Sequence, residues 1–364
     1  MEITDVETYT LHLPIDRVVG DSRLSVTDMY VVVVELATDA GYTGTGWMNS
    51  LGYAPDLLER FVESQFADLL VGEDPFATEA IRKKLRAQTV YYGELGISAW
   101  PRAAIDVACW DIKAQAAGQP LYKLLGGEED RVRAYASSMD AHHDLDELAD
   151  LHGGFAEQGF TAFKTKVGDK SPAEEARRIA EVREAVGPAA QIFVDANQAW
   201  TVSEAIRTID AMAAHGLDWV EEPISEFDLA GHRRVVEATE PPLATGEMIN
   251  RPEQFRYLLD SGGMEIAQPD LVRGGGVTGQ MAIANLAATY DVPVATHFYY
   301  TISSHIVSAA QTGLIVEYIP EYDVGPVLDP TPVVEDGHVV LPDTPGHGYR
   351  IDPAEKEARL VSFD

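Results

Sequence analysis

The chain has 364 residues, 46% of them hydrophobic, which is enough for two domains or for one barrel with an appendage. It carries 27 Lys and Arg against 59 Asp and Glu, a formal net charge of -32 at pH 7. This charge would repel nucleic acid and anionic membranes, so we expect neither as a partner.

The first residues, M-E-I-T-D-V-E, lack the basic flank and apolar core of a signal peptide, and no apolar run reaches the length of a membrane span. We therefore expect a cytoplasmic protein. Carboxylates are spread over the whole chain while lysines number only eight, a balance that resembles proteins of salt-loving microbes. The single cysteine, Cys109, excludes an internal disulfide and is expected to be a small core residue.

The first third of the chain predicts an α+β capping domain over residues 1–126. Residues 3–13 alternate like a strand, and a second strand and a third should form a hairpin that turns at Asp39-Ala40-Gly41. The polar stretch from Arg17 to Val26 is typical of a mobile loop. Helical spacing of apolar residues recurs three times, over 54–72, 76–90 and 98–117.

The rest of the chain predicts a (β/α)₈ barrel over residues 127–330, which makes the fold class α/β. Short apolar runs alternate there with helical stretches, and in such a barrel catalytic residues lie at the carboxyl ends of the strands. Residues 331–364 should form a hairpin and pack back on the capping domain. The eight predicted strands begin near Val132, Thr161, Gln191, Trp219, Pro242, Ile266, Val294 and Ile315.

The strand-helix-strand unit over residues 161–198 concentrates charge in an apolar setting. Lys164 and Lys166 are two residues apart on one strand, and side chains two apart on a strand share a face. Asp195 and Asn197 follow the same rule at the end of the next strand. Because unpaired buried charges cost several kcal/mol, these groups need partners from elsewhere in the chain.

Every predicted strand from the second to the eighth ends in a polar residue. An acidic residue at such a place is more often a helix cap or a solvated loop charge, but seven in register around a barrel are hard to explain as caps. In strand order these residues are Lys164 and Lys166, Asp195, Glu221, Glu247, Asp270, His297 and Glu317.

These motifs, in this order, resemble the enolase superfamily, in the mandelate racemase subgroup (mandelate racemase/muconate lactonizing enzyme-like). The matching motifs are K-T-K, D-A-N, E-E-P, G-E and the pair Asp270 and His297, together with the helix A-A-I-D-V-A-C-W-D and the boundary P-L-Y-K-L-L-G-G. Each motif alone is weak, but the ordered set spans essentially the whole chain.

Three carboxylates on adjacent strands, Asp195, Glu221 and Glu247, predict an all-oxygen metal site. Such a site suits one Mg²⁺, with Mn²⁺ as a substitute, and leaves open positions for a substrate or for water. A small-molecule carboxylate bound to that ion could lose its α-proton, because the metal stabilises the resulting enediolate.

The remaining strand-end residues predict the acid and base groups. Lys166, near a cation and Lys164, is expected to have a lowered pKa and to act as a base. His297 should be oriented by Asp270, which accepts a hydrogen bond from its other ring nitrogen. The resemblance implies that Glu317, if protonated, donates a hydrogen bond to the substrate carboxylate.

Two further motifs are interpreted as structural. Gly274 to Gly279 formally match G-x-G-x-x-G, but they lack the acidic partner of a dinucleotide site and are expected to be a strand-to-helix turn. The run Asp140-Ala141-His142-His143-Asp144 could hold a metal but more often would be a loop.

Two outcomes of proton abstraction stay open. A dehydratase would use one base and expel the 3-hydroxyl with His297 as acid, whereas a racemase or epimerase would use Lys166 and His297 as two bases. We favour an acid-sugar dehydratase because Arg17, Arg23 and Asn49 in the cap, with Asn197, suit a polyhydroxylated substrate.

Other readings carry less weight. Cycloisomerases usually place a lysine where this chain has Asp270, and a barrel that merely bound metal and sugar acid would be expected to lack part of the catalytic set. We also expect a homo-oligomer.

The net charge predicts that folding depends on salt. Raising KCl from about 0.1 M to about 1 M shortens the Debye length from about 10 Å to about 3 Å and screens the self-repulsion of the acidic surface. We expect the melting temperature and the activity to rise over this range, with sucrose of equal osmolality as the control. Full activity and an unchanged melting temperature in dilute buffer would contradict the prediction.

Overall fold

The computed structural model describes residues 1–91 and 93–363. The chain opens with an antiparallel sheet built from β1 (Ile3–Gly20), β2 (Ser25–Thr38) and β3 (Thr43–Ser50). The turn between β2 and β3 lies at the predicted Asp39-Ala40-Gly41. Gly41 has a left-handed φ of 81°, which glycine adopts without strain.

The expectation of a mobile loop from Arg17 to Val26 is wrong for most of that segment. β1 continues to Gly20, and Val19 pairs with Val26 across the hairpin. Both valines are buried, so apolar contact closes the hairpin although its sequence is mostly polar. A register shift between Pro14 and Val19 hides the strand alternation from the sequence.

The cap helices lie close to their predicted positions. One face of the cap sheet is covered by the long helix α4 (Trp100–Ala116). The backbone of this helix lies very close to β3. Gly44 and Gly46 permit this, since a Cβ on Gly46 would lie 2.0 Å from the carbonyl oxygen of Ala104. Cys109 is buried in this helix, as expected. The cap helices are α1 (Pro55–Phe61), a π-helical turn (Val62–Phe66), α2 (Ala67–Leu70), α3 (Thr78–Thr89), α4 (Trp100–Ala116) and α5 (Leu121–Leu124).

The predicted barrel is confirmed. Within the described ranges, eight parallel strands pair in sequence order, and the last pairs with the first, which closes the barrel. The strands are β4 (Arg131–Ser137), β5 (Ala162–Lys166), β6 (Gln191–Asp195), β7 (Trp219–Glu221), β8 (Leu243–Thr245), β9 (Ile266–Ala267), β10 (Val294–Thr296) and β11 (Gly313–Tyr318).

Helices connect the barrel strands on the outside. Several begin with side-chain caps that the sequence carries, such as the capping box of Asp144 and Glu147. The helices are α6 (Leu145–Glu157), α7 (Pro172–Val186), α8 (Val202–Met212), α9 (Leu229–Ala238), α10 (Pro252–Ser261), α11 (Gly276–Ala288) and α12 (Tyr300–Ala309).

The C-terminal segment contacts both parts of the molecule. After β12 (Leu328–Asp329), the hairpin of β13 (Val333–Glu335) and β14 (His338–Val340) adds to the barrel sheet by pairing with β4. The chain then reaches the cap. There the His347 N–H donates to Asp111 of α4 at 3.0 Å. The chain ends with β15 (Arg350–Ile351), α13 (Pro353–Arg359) and β16 (Leu360–Val361), and β16 pairs with β1.

The barrel interior forms the floor under the strand ends. The rings of Phe193 and Trp219 stack with centroids 3.4 Å apart, and Tyr135 meets both edge-on. The Lys164 ammonium lies 5.5 Å from the centroid of the Tyr135 ring. Among the residues that the structure describes, no helix combines the length and the apolar composition needed to cross a membrane.

The close contact of α4 with β3 predicts a strong effect of one methyl group. Gly46→Ala should lower the free energy of unfolding by about 2–3 kcal/mol, because the new Cβ must push the helix away from the sheet. Urea denaturation measures this. The matched control is Gly153→Ala in α6, where a Cβ meets nothing within 4 Å, so stability should rise by about 0.5–1 kcal/mol. Equal effects of the two substitutions would refute the packing argument.

Candidate active site

Three buried carboxylates meet at the mouth of the barrel. Asp195 ends β6, Glu221 ends β7 opposite it in the register, and Glu247 follows β8 by two residues. One oxygen from each lies within 4.8 Å of the others. The three carboxylates lie close together because they stand at the carboxyl ends of neighbouring parallel strands, as the sequence predicts.

The donor set fits a magnesium ion. Mg²⁺ prefers octahedral oxygen ligands at about 2.0–2.1 Å and keeps some positions for water or substrate. Three carboxylate oxygens on one side of such an ion can approach one another as closely as they do here. The Glu221 carboxylate is oriented by two further donors, the Lys164 ammonium at 2.8 Å and the side-chain amide of Gln268 at 2.8 Å.

Burial and the neighbouring charges shift the pKa values of the clustered carboxylates. Burial raises the pKa of Glu221, and the Asp195 carboxylate raises it further against the opposing Lys164, to about 8. Burial also raises the pKa of Glu247, but the His297 cation outweighs it and holds that pKa below the usual range. A divalent cation would relieve the repulsion among these groups.

The two lysines of β5 differ in what they contact. Lys164 is fully buried and lies 2.8 Å from Glu221, 2.6 Å from Glu317 and 3.5 Å from Asp195. Lys166 lies 2.6 Å from Asp195 and lines the open cavity. Of the two, Lys166 is therefore the one that a substrate can reach.

The expected lowering of the Lys166 pKa is not produced by the protein groups. Burial lowers that pKa, but the Asp195 carboxylate raises it by more, so it lies above its usual value. Lys164 opposes this as predicted, but the ion pair at 2.6 Å is the stronger interaction. The same balance, with Glu221 and Glu317, holds the pKa of Lys164 well above its usual value.

The structure brings His297 and Asp270 together as the sequence predicts. The Nδ1 of His297 lies 2.9 Å from Asp270 Oδ2, and its Nε2 lies 3.0 Å from Glu247. Burial lowers the pKa of His297, but Glu247 and Asp270 raise it to about 10. In the strand order, β6 to β9 stand between the strands of Lys166 and His297, so the two groups approach the mouth from different sides.

The protein groups around Glu317 do not favour the protonated state that the resemblance implies. Burial raises its pKa, but Lys164 and His297 outweigh that and lower it to about 2. Its oxygens face the Lys164 ammonium at 2.6 Å and accept the Phe298 N–H at 3.0 Å. These contacts make Glu317 a hydrogen-bond acceptor and an ion-pair partner of Lys164.

A cavity of about 380 Å³ lies between the cap and the barrel mouth. The hairpin tip between β1 and β2 lies beside it, with the Ser22 hydroxyl donating to the Ala196 carbonyl at 2.8 Å. Two of the three cap residues predicted to bind substrate, Arg23 and Asn49, line this cavity. The cavity also meets Lys166, Asn197, Glu247, Asp270, Arg273 and His297.

Arg17 is the exception among the predicted substrate-binding residues. It is exposed, its guanidinium contacts the His143 ring, and it does not line the cavity. Arg17 lies on β1 before the hairpin tip, whereas Arg23 lies at the tip and lines the cavity. Because the sequence predicts one loop over this whole segment, it does not separate the two positions.

Two amide oxygens in the cavity wall have no protein partner. Asn49 and Asn197 are 6% and 7% exposed, and the side-chain oxygen of each is buried without a hydrogen bond. Asn197 adopts a left-handed φ of 45°, and its N–H donates to Asp195 at 2.9 Å. Both residues line the cavity, so a ligand there would lie beside two polar amide side chains.

Asp140 is a buried residue whose contribution the sequence reading missed. It follows the first barrel strand and accepts the Lys166 N–H at 2.8 Å, while its other oxygen lies 3.1 Å from His152. The Arg178 guanidinium donates to its carbonyl at 3.1 Å. Its position just after the first strand is a usable signal in the sequence, whereas the acidic, histidine-rich run around it predicts only a loop.

The two motifs interpreted as structural have the expected geometry. Gly275 and Gly276 have left-handed φ values of 93° and 76° where the chain turns into α11. Asp144 caps α6. Among the described residues, the carboxylates of Asp195, Glu221 and Glu247 form the group that could hold a metal ion, and residues 140–144 are not part of it.

Comparison with known families identifies the fold and the superfamily. The family model described as the mandelate racemase / muconate lactonizing enzyme N-terminal domain matches residues 4–126, and the enolase C-terminal domain-like model matches residues 147–356. The chain belongs to the enolase superfamily. It is an enzyme of a family whose members include lyases and isomerases, and its cofactor is Mg²⁺.

Relatives of this enolase-superfamily enzyme catalyse more than one reaction. L-talarate/galactarate dehydratase of Salmonella typhimurium is 31% identical over 93% of this chain and 86% of its own. D-galactarolactone cycloisomerase of Agrobacterium fabrum is 33% identical over 97% of both chains. The similar proteins therefore include a cycloisomerase. Asp270 argues against that activity here, because cycloisomerases usually place a lysine at this position.

A solved structure from the same superfamily carries the expected metal. The crystal structure of a racemase from Streptomyces coelicolor A3(2) with bound magnesium superposes with a TM-score of 0.94 at 28% identity, covering 99% of this chain and 100% of that one. Dehydratases, cycloisomerases and racemases thus share this fold, and the likeness does not choose between them.

The carboxylate cluster predicts the effect of neutralising one member. Glu221→Gln should weaken Mg²⁺ binding by at least about tenfold, measured by isothermal titration calorimetry. The barrel should stay folded, because Lys164 keeps its contact with Glu317 at 2.6 Å. Glu237→Gln removes an exposed carboxylate from α9 and should leave Mg²⁺ binding unchanged. An unaltered affinity in Glu221→Gln, or a crystal with Mg²⁺ elsewhere, would contradict the assignment.

Proposed function

We propose that this enzyme is an acid-sugar dehydratase that converts an aldonate or aldarate to a 2-keto-3-deoxy acid. The observation that carries the proposal is the set of polar side chains that line the cavity beside Lys166 and His297, namely Asp21, Arg23, Asn49 and Asn197. A polyhydroxylated substrate can hydrogen-bond to several of these groups, whereas an apolar 2-hydroxy acid would leave most of them without a partner.

Asp195, Glu221 and Glu247 would hold the metal, on the strength of their mutual proximity and burial. When bound, Mg²⁺ would neutralise these carboxylates, including the Asp195 partner of Lys166, and stabilise the negative charge that develops on the substrate carboxylate. Glu317 keeps Lys164 charged beside them at 2.6 Å, so a second cationic group faces the same region.

Lys166 is the residue we assign to proton abstraction. Its amine lines the cavity and is the one β5 ammonium group that a substrate can reach. The Asp140 carboxylate holds its backbone N–H at 2.8 Å, which fixes the strand end from which the side chain extends. In the reaction, the neutral amine form of Lys166 takes the proton from C2 of the substrate and becomes the ammonium.

His297 is the residue we assign to the departure of the 3-hydroxyl. Its Nδ1 is held by Asp270 at 2.9 Å, which leaves Nε2, beside Glu247, to carry the transferable proton, and His297 lines the cavity. The Nε2 proton passes to the hydroxyl on C3, the C3–O bond breaks, and one water molecule leaves. The enol that results takes up a proton at C3 and loses the proton of its C2 hydroxyl, which gives the 2-keto acid.

The cap side of the cavity combines polar and apolar contacts. Arg23 at the hairpin tip offers donors to distal hydroxyl or carboxylate groups, although it also reaches Gln198 at 3.5 Å. Apolar side chains complete the wall and would pack on the carbon skeleton of the substrate. They include Leu24, Leu51, Trp100, Met139, Met248 and Val272.

A racemase of a 2-hydroxy acid is the second candidate. The magnesium-bound racemase from Streptomyces coelicolor A3(2) shares the fold at a TM-score of 0.94. Lys166 and His297 reach the mouth from different sides, so each could serve one enantiomer. No water is lost in that reaction or in a cycloisomerisation.

The dehydratase proposal is tested with a panel of aldonic and aldaric acids in Mg²⁺ and high salt. We expect a 2-keto-3-deoxy product, detected with semicarbazide. His297→Asn should lower its formation by about 10² to 10⁴-fold, because the leaving hydroxyl loses its acid. The same variant should still exchange the α-proton with D₂O through Lys166.

The role of Lys166 is tested with a substitution at that position and a control substitution at a second lysine. Lys166→Met should abolish both the exchange and the product, whereas Lys170→Met should change neither, since Lys170 contacts the Ala141 carbonyl and Asp169 instead of the cavity. A panel without any keto acid, combined with loss of optical rotation of a 2-hydroxy acid, would replace the dehydratase by the racemase. A product that is a constitutional isomer of its substrate, and not its stereoisomer, would indicate a cycloisomerase.

A further inference from the structure

The cap helix α4 contacts the barrel segment that follows Asp270. The carboxylate of Asp106 accepts two hydrogen bonds from Thr278, one from its N–H at 2.9 Å and one from its hydroxyl at 2.6 Å. The Trp110 ring N–H donates to the same Thr278 oxygen at 2.8 Å. Asp106 is only 7% exposed, so these are buried polar contacts across the boundary between cap and barrel.

Asp106 acts as a helix cap supplied by another domain. The N-cap residue of α11 is Gly275, which has no side chain, so the first turn lacks a capping group of its own. Thr278 is the third residue of that helix, and its N–H is one that an N-cap side chain ordinarily accepts. Gly276 makes room for this, because a Cβ there would lie 2.5 Å from Asp106.

A short chain of hydrogen bonds leads from this cap to the acid-base pair. The Gly276 N–H donates to the Leu271 carbonyl, and the Gly274 N–H donates to the Asp270 carbonyl, both at 2.8 Å. The Asp270 carboxylate accepts the Arg273 N–H at 2.8 Å and faces His297 Nδ1 at 2.9 Å. The segment between Asp270 and α11 is therefore tied at both ends.

We propose that Asp106 is a positioning residue for His297. It holds the start of α11, the start of α11 holds the turn after Asp270, and Asp270 sets the orientation of the imidazole. The inference rests on the proposed role of His297 as the acid. It also gives the D-V-A-C-W-D helix motif a part in the reaction beyond packing.

The arrangement predicts that only one side of the site depends on Asp106. The strand end of Lys166 is held instead by Asp140, at 2.8 Å from its N–H. No hydrogen bond of Asp106 among the described residues reaches β5. Loss of Asp106 should therefore disturb steps that need His297 and spare proton exchange through Lys166.

The test compares three variants of the full-length enzyme. Asp106→Ala removes both acceptors, and Asp106→Asn keeps one acceptor oxygen with nearly the same shape. Asp111→Asn is the matched control, because Asp111 is a fully buried aspartate of the same helix that contacts Thr45, His347 and Arg350 instead of the segment after Asp270. Keto-acid formation and α-proton exchange in D₂O are measured for each.

We expect Asp106→Ala to lower kcat for the keto acid by about tenfold to a hundredfold, with little change in KM, since small misplacements of a catalytic group have effects of this size. Exchange through Lys166 should stay within about threefold of the native rate. Asp106→Asn should recover part of the loss. Asp111→Asn should lower the melting temperature without changing the ratio of the two rates.

Equal losses of both rates in Asp106→Ala, or no loss of either, would overturn the inference. If the enzyme proves to be a racemase, exchange of the enantiomer served by His297 replaces keto-acid formation in the same comparison. Amide hydrogen exchange supplies a readout that needs no substrate. Asp106→Ala should speed exchange over residues 270–279 and leave residues 191–198 unchanged, and the absence of that difference would equally refute the proposal.

Discussion

The mutual repulsion of buried carboxylates at the barrel mouth governs the arrangement of the site. Asp195, Glu221 and Glu247 lie within 4.8 Å of one another and are almost completely removed from water. Charges in such a setting persist only when cations offset them. The lysines of β5 and the imidazole of His297 supply part of that charge, and Mg²⁺ is the ion suited to supply the remainder.

This constraint divides the cations into two kinds. Lys164 is enclosed by Glu221 and Glu317, which hold its pKa well above the usual value, so it serves as a fixed positive charge beneath the cluster. Lys166 and His297 also face carboxylates, but both line the cavity. A fixed charge needs enclosure, whereas a proton carrier needs access, and burial separates the two on a single strand.

The cap contributes more than a lid. Its hairpin tip brings Arg23 and its third strand brings Asn49 to the cavity, while α4 lies against the barrel at the start of α11. The glycines of β3 let α4 lie directly on the cap sheet, so the helix that reaches the barrel is anchored on a rigid support. Substrate contacts and the turn after Asp270 thus share one structural base.

The sequence by itself determined the barrel, the order of its strands and the residues at the strand ends. Apolar runs with a regular period specify parallel strands, and alternation along each strand specifies which side chains share the mouth. That is why Lys166, Asp195, Glu221, Glu247, and the pair of Asp270 and His297 could be found without coordinates. Local patterns carry this information because the strand geometry repeats.

Tertiary structure alone decided the pKa shifts and the long-range contacts. The pKa of Glu317 is lowered despite burial because Lys164, from a strand distant in sequence, lies 2.6 Å away. Arg17 does not line the cavity, since it lies on β1 before the hairpin tip, in the stretch where the register of the hairpin shifts. Asp140 accepts a hydrogen bond from Lys166, which lies 26 positions away in the sequence, and Asp106 accepts one from Thr278, which lies 172 positions away. A pKa, a register shift and a cap from another domain depend on distances through space, and no local pattern of residues records those distances.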